Sequence, residues 1–409
     1  MRLTGFVLGA LVTALCIAGC GSSSSSSNTV QLSGIKKRVL ISNQQQNALD
    51  MFDGNKDALG KTFTATTPGK MVHAGIFTAI LSLSPSISFF DQTKEQVSAS
   101  VQLSDVPTDV VMDSDGGIAW VAERNASVVQ VVGSINGNIA VSIPIPSASR
   151  LAMGPNFTRL LAFSDDPQHN ATNPNGFFVI DEATNVVTPI ALAPGDQPIF
   201  GLFNGSDNAI FVLNCGTGCG GTAPPSVVRI DLTNLAAPGI SAHIPVNGAT
   251  TAILNGSTLY VAGTAPGAAN GTLQAIDTGT LAVSPAVTLL PNGIQGPMAI
   301  TSNKKLFVGS QGCTVSPIAG TNQVVGCLAI LDVSSGTPPA SGFPATFPAE
   351  NAFRQNFDVT GLQPISGRNT VYVIQGGELD FFDQTTNALS SATVIDIVGT
   401  AIGVVQIDP

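Results

Sequence analysis

The stretch from Thr258 to Asp277 reads TLYVAGTAPGAANGTLQAID and places two short apolar runs on either side of a Gly- and Pro-rich turn. Each run has the length and composition of a β-strand, and the second ends at Asp277. The pair recurs eight times along the chain, and in seven copies the second strand ends at Asp. The first strands of the pairs are Val39 to Ser42, Ala79 to Ser82, Ala119 to Ala122, Leu160 to Phe163, Ile210 to Leu213, Leu259 to Ala262, Leu306 to Gly309 and Val371 to Ile374. A β repeat of roughly 40 to 65 residues predicts a β-propeller, whose blades bury their faces only against their neighbours.

Each copy can be written as four strands, a to d, with the recurring Asp at the end of strand c. These positions are Asp53, Asp91, Asp181, Asp231, Asp277, Asp332 and Asp383, with Val132 in the third copy. Thr or Asn often follows within a few residues, which is typical of an Asx turn between strands c and d. We therefore expect the aspartates to make turns rather than a ring of ligands.

The two ends of the repeat array predict how the ring closes. The array opens with strand b, Val39 to Ser42, and finishes with an isolated a-type strand, Gly403 to Asp408. Pairing these two strands would complete one blade and cover two exposed strand edges. This interpretation gives an all-β propeller of eight four-stranded blades, with seven blades as the alternative.

The N-terminus has the pattern of a secretory signal. Arg2 precedes an apolar stretch, Leu3 to Ile17, that is too short to span a bilayer stably. The residues Ile17-Ala18-Gly19-Cys20 resemble the lipobox of bacterial lipoproteins. The resemblance implies cleavage before Cys20 and diacylation of its thiol, and ordinary secretion without lipid is the alternative.

The lipobox interpretation sets the predicted domain boundaries. Residues 1–19 form the signal peptide, residues 20–36 the lipidated Cys and a Ser-rich tether, and residues 37–409 the propeller. Because residue 21 is Gly and not Asp, similarity to envelope lipoproteins favours the outer membrane of a bacterial cell envelope. The membrane, reached through the lipid, is the first predicted partner.

Composition excludes one class of partner. Sixteen Lys and Arg against twenty-six Asp and Glu give a net charge of −10, and no basic run follows residue 38. Nucleic-acid binding needs clustered cations, so we expect no nucleic-acid partner.

Four cysteines lie in the body of the chain, in two local pairs. Cys215 and Cys219 enclose three residues, and Cys313 and Cys327 bracket a loop of thirteen. In an oxidising compartment, the even count predicts two disulfides, each holding an inserted hairpin. A zinc site is the competing interpretation, although no His lies near in sequence to complete four ligands.

Strand b carries the resemblance to a known family. Leu259-Tyr260-Val261-Ala262 and Val371-Tyr372-Val373 resemble the repeat of the YVTN β-propeller proteins. The likeness covers Val39 to Asp408 and implies the propeller fold. Similar propellers include lactonases and lyases with a metal or a few polar residues in the central channel.

Insertions after strand b are long in four successive copies, and they predict a loop-rich face. They are Ser164 to Gly176, Asn214 to Ser226, Gly263 to Gly271 and Ser310 to Gly326. In a four-stranded meander, the b to c and d to a loops emerge on the same face, where recognition loops are readily built. Candidate binding residues on this face are Asp109, Arg124, Arg150, Asp165, Asp166, His169 and Gln197.

No serine nucleophile motif, phosphate loop, haem-attachment pair or calcium loop with its closing Glu is recognisable, so we predict no catalytic residue, metal or cofactor. The favoured interpretation is an envelope lipoprotein that acts as a binding or interaction module. Its partner would be an envelope protein, a glycan or a small molecule. A periplasmic propeller enzyme, lactonase- or lyase-like, and a purely structural envelope protein are the alternatives.

Overall fold

Eight antiparallel sheets follow one another along the chain, one for each copy of the repeat. They are seen in a computed structural model that describes residues 31–164, 175–268, 270–291, 294–313, 325–336, 343–345, 359–375, 378–386, 388–390, 395–396 and 401–408. The chain divides into two units, Met1–Leu32 and Ser33–Pro409, and the sheets all belong to the second. The predicted eight-bladed, all-β propeller is confirmed.

The strands of blades 1 to 3 are separated by short connections, whereas in blade 4 a longer insertion separates the second and third strands. Blade 1 contains β1 (Arg38–Asn43), β2 (Ala48–Asp53), β3 (Ala58–Thr64) and the C-terminal β34 (Ala401–Gln406). Blade 2 contains β4 (Pro68–Ala74), β5 (Phe77–Ser82), β6 (Ser86–Asp91) and β7 (Gln96–Gln102). Blade 3 contains β8 (Asp109–Met112), β9 (Ile118–Glu123), β10 (Val128–Gly133) and β11 (Asn138–Pro144). Blade 4 contains β12 (Arg150–Met153), β13 (Arg159–Phe163), β14 (Gly176–Asp181) and β15 (Val187–Ala191).

Among the other four blades, blades 5 and 8 each have an outermost strand that is broken into two short pieces. Blade 5 contains β16 (Pro198–Phe203), β17 (Ala209–Asn214), a 3-10 turn η1 (Gly216–Cys219), β18 (Ser226–Asp231), β19 (Gly239–Ile240) and β20 (Ile244–Pro245). Blade 6 contains β21 (Thr251–Asn255), β22 (Thr258–Thr264), β23 (Asn270–Asp277) and β24 (Val287–Pro291). Blade 7 contains β25 (Ile294–Ile300), β26 (Lys305–Cys313), β27 (Val325–Asp332) and β28 (Phe343–Ala345). Blade 8 contains β29 (Val359–Pro364), β30 (Thr370–Gln375), β31 (Glu378–Asp383), β32 (Ala388–Leu389) and β33 (Ile395–Asp396).

Burial explains why strands b and c read as continuous apolar runs. Every residue of β2, a c strand, is buried, whereas the neighbouring d strand β3 is largely exposed. The core lies between adjacent blades: Phe89 of blade 2 and Val121 of blade 3, for example, belong to one apolar cluster. Both faces of strands b and c are therefore covered, which removes the usual alternation of apolar and polar residues.

The innermost strands form the ring. They are β34, β4, β8, β12, β16, β21, β25 and β29, and each contacts the next. The ring closes through β34, which pairs antiparallel with β1 and places Val39 opposite Gln406 and Ile41 opposite Val404. Beyond the strands, Arg38 donates from Nε to Asp408 Oδ2 (2.8 Å) and from Nη2 to Oδ1 (2.7 Å). The predicted pairing of the two ends is confirmed. Without β34, the backbone edge of β1 would be exposed, which is why both ends of the chain are needed to complete blade 1.

The recurring aspartates make the predicted turns. Asp181 Oδ1 accepts from the backbone N–H of Thr184 (2.9 Å), and Asp277 Oδ1 accepts from that of Thr280 (2.7 Å). The same bond to a residue two positions on occurs at Asp53, Asp91, Asp231, Asp332 and Asp383. In blade 3, the register places Gly133, and not the predicted Val132, at the position of the Asp, and the turn is closed by the backbone bond from the N–H of Gly137 to the carbonyl of Gly133 (3.0 Å).

Two predicted insertions are partly strand. In blade 6, β22 runs to Thr264, and in blade 7, β26 runs to Cys313, so both hairpins extend beyond the predicted ends of strand b. Paired backbone satisfies more N–H and C=O groups than an open loop of the same length, which favours the longer ladder. Within the described ranges, no helix has the length and hydrophobicity needed to cross a bilayer.

Candidate functional site

The loop-rich face consists of the b to c loops and the d to a loops, at the ends where the inner strands begin. Asp109 begins β8 and Arg150 begins β12, while Gln197 directly precedes β16. These three predicted residues therefore lie at the same mouth of the channel, in consecutive blades.

Asp109 is almost fully buried and connects three blades. One carboxylate oxygen pairs with the Lys70 ammonium of blade 2, and the other accepts from the backbone N–H of Leu151 in blade 4 (2.8 Å). Its bonds are thus already made within the protein. Asp109 positions neighbouring inner strands, and Lys70, whose side chain is half exposed, presents the accessible charge of the pair.

Arg150 reaches past one blade. Its Nη1 donates to the carbonyl of Thr250 at 3.3 Å, so the side chain runs from the start of blade 4 to the start of blade 6. Gln197, which is buried, lies in blade 5 between them, and its carbonyl accepts from the N–H of Cys215 (3.0 Å). The mouth therefore carries two basic side chains, Lys70 and Arg150, held in place by oxygens of the inner ring.

A histidine and a carboxylate, not predicted as a pair, meet beside this mouth. His243 Nε2 lies 2.8 Å from Oδ2 and 2.9 Å from Oδ1 of Asp196. Asp196 is buried, whereas the His243 side chain is 37% exposed. A buried carboxylate that holds one ring nitrogen orients the imidazole and leaves its other edge for a partner.

The predicted disulfide between Cys215 and Cys219 is confirmed, and it lies next to this pair. It closes η1, and the following residues Thr222 and Ala223 both donate their N–H to the carbonyl of Gly195 (3.1 and 3.0 Å). Gly195 directly precedes Asp196, so the disulfide loop and the His243–Asp196 pair form one surface. With both thiols oxidised, these two cysteines are no longer available as zinc ligands.

A buried group of oxygens lies at the end of β9. The backbone N–H of Asp105 donates to Glu123 Oε2 at 2.6 Å, and Gln130 Nε2 donates to Ser104 Oγ at 3.0 Å. Among the described residues, Glu123 Oε1, Asp105 Oδ2 and Gln130 Oε1 have no hydrogen-bond partner. Burial raises the pKa of Glu123, because a charged carboxylate is poorly solvated there.

Several predicted residues cannot be placed in the same way. Arg124 lies in the b to c turn of blade 3 and is partly buried. Cys20, Asp165, Asp166 and His169 lie outside the described residues, as do the side chains of Cys313 and Cys327. The second predicted disulfide therefore stays a prediction.

Seven of the eight inner strands carry an apolar residue at one shared register. The b-strand residues at this register are Leu40, Ile80, Trp120, Leu161, Phe211, Tyr260, Phe307 and Tyr372, and the residues opposite them are Val405, Met71, Val111, Ala152, Leu202, Ile253, Ala299 and the polar Gln363. The seven apolar side chains supply neither protons nor metal ligands. Within the described ranges, no group of three or more His, Cys, Asp or Glu side chains is arranged to hold a metal ion.

Comparison with known proteins places the fold in context. No protein-family model matches the chain, and no curated protein matches it. Among solved structures, it is similar to the dihydro-heme d1 dehydrogenase NirN, with 10% identity and a TM-score of 0.68 over 91% of this chain and 75% of that one. It is also similar to AztD from Citrobacter koseri, with 15% identity and a TM-score of 0.60 over 91% and 97% of the two chains. Hydrazine synthase of Kuenenia stuttgartiensis gives 15% identity and a TM-score of 0.55 over 70% and 80%. At such identities, the likeness shows the fold alone and carries no information about activity.

Proposed function

We propose that the chain is a lipid-anchored protein of the bacterial cell envelope, built from YVTN-type repeats, that binds a partner through its loop-rich face. The lipobox and the Ser22 to Ser27 tether support the anchor, since two or three acyl chains hold a protein firmly on a membrane. The partner belongs to the envelope and is a protein, a glycan or a small molecule.

One observation carries the choice of face. The His243–Asp196 pair, the disulfide-closed loop and the basic mouth residues all lie where the b to c and d to a loops emerge. A short loop closed by a disulfide and bonded to Gly195 loses little conformational entropy on binding. The apolar residues that seven of the eight inner strands carry at one register favour binding over acid-base catalysis in the channel.

The face is tested by site-specific photo-crosslinking in cells. A photo-reactive residue replaces exposed Thr217 in the disulfide loop, and a matched one replaces exposed Lys56, in the c to d turn of the opposite face. We expect a discrete crosslinked product from position 217 only. His243→Ala in the first protein should lower its yield roughly tenfold, as expected for a residue central to an interface. Equal products from both positions would contradict the assignment.

The anchor is tested separately by metabolic labelling with palmitate. The wild-type chain should incorporate label and sediment with membranes, and Cys20→Ala should do neither. Label retained by Cys20→Ala would show that the thiol is not the attachment site, whatever the outcome of crosslinking.

A further inference from the structure

The chain enters the propeller on the face opposite the loop-rich face. We call it the turn face, because it consists of the a to b and c to d turns, and β1 begins there at Arg38. Ser33 donates from its backbone N–H (2.6 Å) and from Oγ (2.7 Å) to the carboxylate of Glu95, in the c to d turn of blade 2. Lys37 donates from Nζ to the carbonyl of Ser366, in the a to b turn of blade 8. The segment before β1 is therefore bound to the turn face.

The length of the predicted tether favours the turn face as the one nearest the membrane. Twelve residues lie between Cys20 and Ser33, and a flexible Gly- and Ser-rich chain of that length spans roughly 20 Å. A strand of six residues such as β1 is itself about 20 Å long. Bringing the loop-rich face to the bilayer would use the whole reach of the tether along the side of a blade, whereas the turn face needs none of it.

The exposed charges around this point of entry are positive. Lys56 and Lys94 lie in the c to d turns of blades 1 and 2, and their side chains are 77% and 58% exposed. The carboxylates that pair with them, Asp53 and Asp91, are only 12% and 2% exposed. Lys36, in the segment before β1, is exposed as well. Because each carboxylate lies beneath its ammonium group, a flat anionic surface that approaches the turn face meets the lysines first.

Aliphatic side chains at turn tips accompany these lysines. Ile76 is exposed in the a to b turn of blade 2, and Ile135 is 70% exposed in the c to d turn of blade 3. Gln92, next to the Lys94 turn, donates from Nε2 to the carbonyl of Gly75 (3.2 Å) and from its N–H to that of Ile76 (3.0 Å). The turn that carries Ile135 packs against β7 of blade 2. Exposed aliphatic and basic side chains therefore share one continuous area, which is the composition of surfaces that bind at a membrane interface.

Carboxylates limit this area on one side. Asp113 and Asp115 lie in the a to b turn of blade 3, and Asp115 is exposed. They would repel lipid phosphates, so the contact is centred on blades 1 and 2, where the lysines lie.

We propose that the turn face docks on a bilayer that contains anionic phospholipids. The ammonium groups of Lys36, Lys56 and Lys94 would lie at the lipid phosphates. Ile76 and Ile135 would enter the boundary between headgroups and acyl chains. The inference rests on the proposed anchor, which brings this face to a membrane, and it leaves the loop-rich face directed away from the bilayer and open to a partner.

Vesicle flotation tests the docking without the anchor. The protein is the chain from Gly21 to Pro409, which lacks Cys20 and the apolar N-terminal stretch but keeps every sheet. We expect it to float with vesicles of phosphatidylglycerol and phosphatidylcholine at millimolar lipid and low salt. Binding should be roughly tenfold weaker or less with phosphatidylcholine alone, or at high salt, because the lysine contribution is electrostatic. Such binding is weak and reversible, so it does not retain Cys20→Ala in dilute membrane fractions.

Matched double variants locate the contact. Lys94→Gln/Ile135→Ser removes one charge and one exposed aliphatic side chain from the turn face, and it should weaken binding roughly tenfold or more. Arg229→Gln/Leu83→Ser makes the same changes at exposed positions elsewhere, in β18 of blade 5 and in the b to c turn of blade 2 on the loop-rich face. The second variant should bind like the parent chain. Urea unfolding of both variants checks that each is folded.

A fluorescent residue measures the orientation without removing any lysine. It replaces Ile135 in one protein and Leu83 in another, and the vesicles carry a nitroxide-labelled lipid as quencher. We expect quenching at position 135 and none at position 83.

Four results would overturn the proposal. They are no flotation with anionic vesicles, equal binding to neutral and anionic vesicles, equal losses in the two double variants, and quenching at position 83 as strong as at position 135. The anchor is judged separately: palmitate label at Cys20 without vesicle binding would refute the docking alone, and vesicle binding without label would refute the anchor alone.

Discussion

At the scale of single residues, the buried carboxyl of Glu123 sets a measurable pH dependence. Its pKa is raised in the folded chain, so the folded state binds a proton more tightly than the unfolded state, where Glu titrates near about 4.3. The stability from this group is fully present below that unfolded value and is lost as the pH rises through the higher folded value. At pH 7, the carboxylate is therefore a net cost.

We predict that Glu123→Gln stabilises the protein at pH 7 by about 1 kcal/mol and that the gain disappears near pH 4. The neutral amide keeps an oxygen that can accept from the backbone N–H of Asp105, as Glu123 Oε2 does. Urea unfolding between pH 4 and pH 8 measures the effect. Asp113→Asn provides a comparison, since Asp113 is a second carboxyl whose pKa burial raises, but it lies in an ordinary turn. Equal stability of Glu123→Gln and wild type at pH 7 would show that burial of the Glu123 carboxylate has no net cost.

At the scale of strands and turns, local signals and the pairing of the two chain ends could be predicted from the sequence, whereas other distant contacts could not. The Asx turns at Asp181 and Asp277 follow from residues within three positions, and the structure shows those bonds. The His243–Asp196 pair joins residues 47 positions apart, and strand d of blade 5 is interrupted just before His243, so no periodicity marks it. Gln92 of blade 2 and Gln384 of blade 8 line one cavity only because closure of the ring brings blades 8, 1 and 2 side by side.

A partly buried polar cluster links blades 8 and 1, beside the apolar core that they share. Asp57, in the c to d turn of blade 1, accepts from Arg368 of blade 8 and from Tyr372 Oη (2.7 Å). We predict that Asp57→Asn lowers the free energy of unfolding by about 1–3 kcal/mol, because Arg368 loses its counter-charge while Asn still tolerates the positive φ of 54°. Lys56→Met should cost under about 0.5 kcal/mol, because the Lys56 ammonium that pairs with Asp53 is exposed to solvent. Urea midpoints at constant slope measure both, and equal losses would refute a special role for Asp57.

At the scale of the whole molecule, the inner edge of β1 is covered only because the last strand returns to the first blade. β34 supplies the inner strand of blade 1, while β1 to β3 supply the rest. The neighbours of β34 on both sides, β29 and β4, also pack against it. Removing it would expose the edge of β1 and open the two adjacent blade interfaces, which is a larger loss than one strand pair.

A circular permutant tests whether this closure is a property of the ring and not of one blade. Opening the chain in the exposed turn between Asn255 and Gly256 moves the same single inner strand, now β21, to the new C-terminus. The old ends lie close together, since Arg38 N donates to Asp408 Oδ2 at 2.7 Å, so a Gly–Ser linker of about eight residues from position 409 to Ser33 suffices. We predict that this permutant unfolds cooperatively within about 1 kcal/mol of the original order, because every blade contact is rebuilt.

Deleting residues 401–409 should instead abolish the cooperative transition and promote aggregation through the uncovered edge. Calorimetry and gel filtration of the two proteins decide the matter: a truncated chain that unfolds cooperatively as a monomer, beside a permutant that does not fold, would mean that closure by the last strand is dispensable.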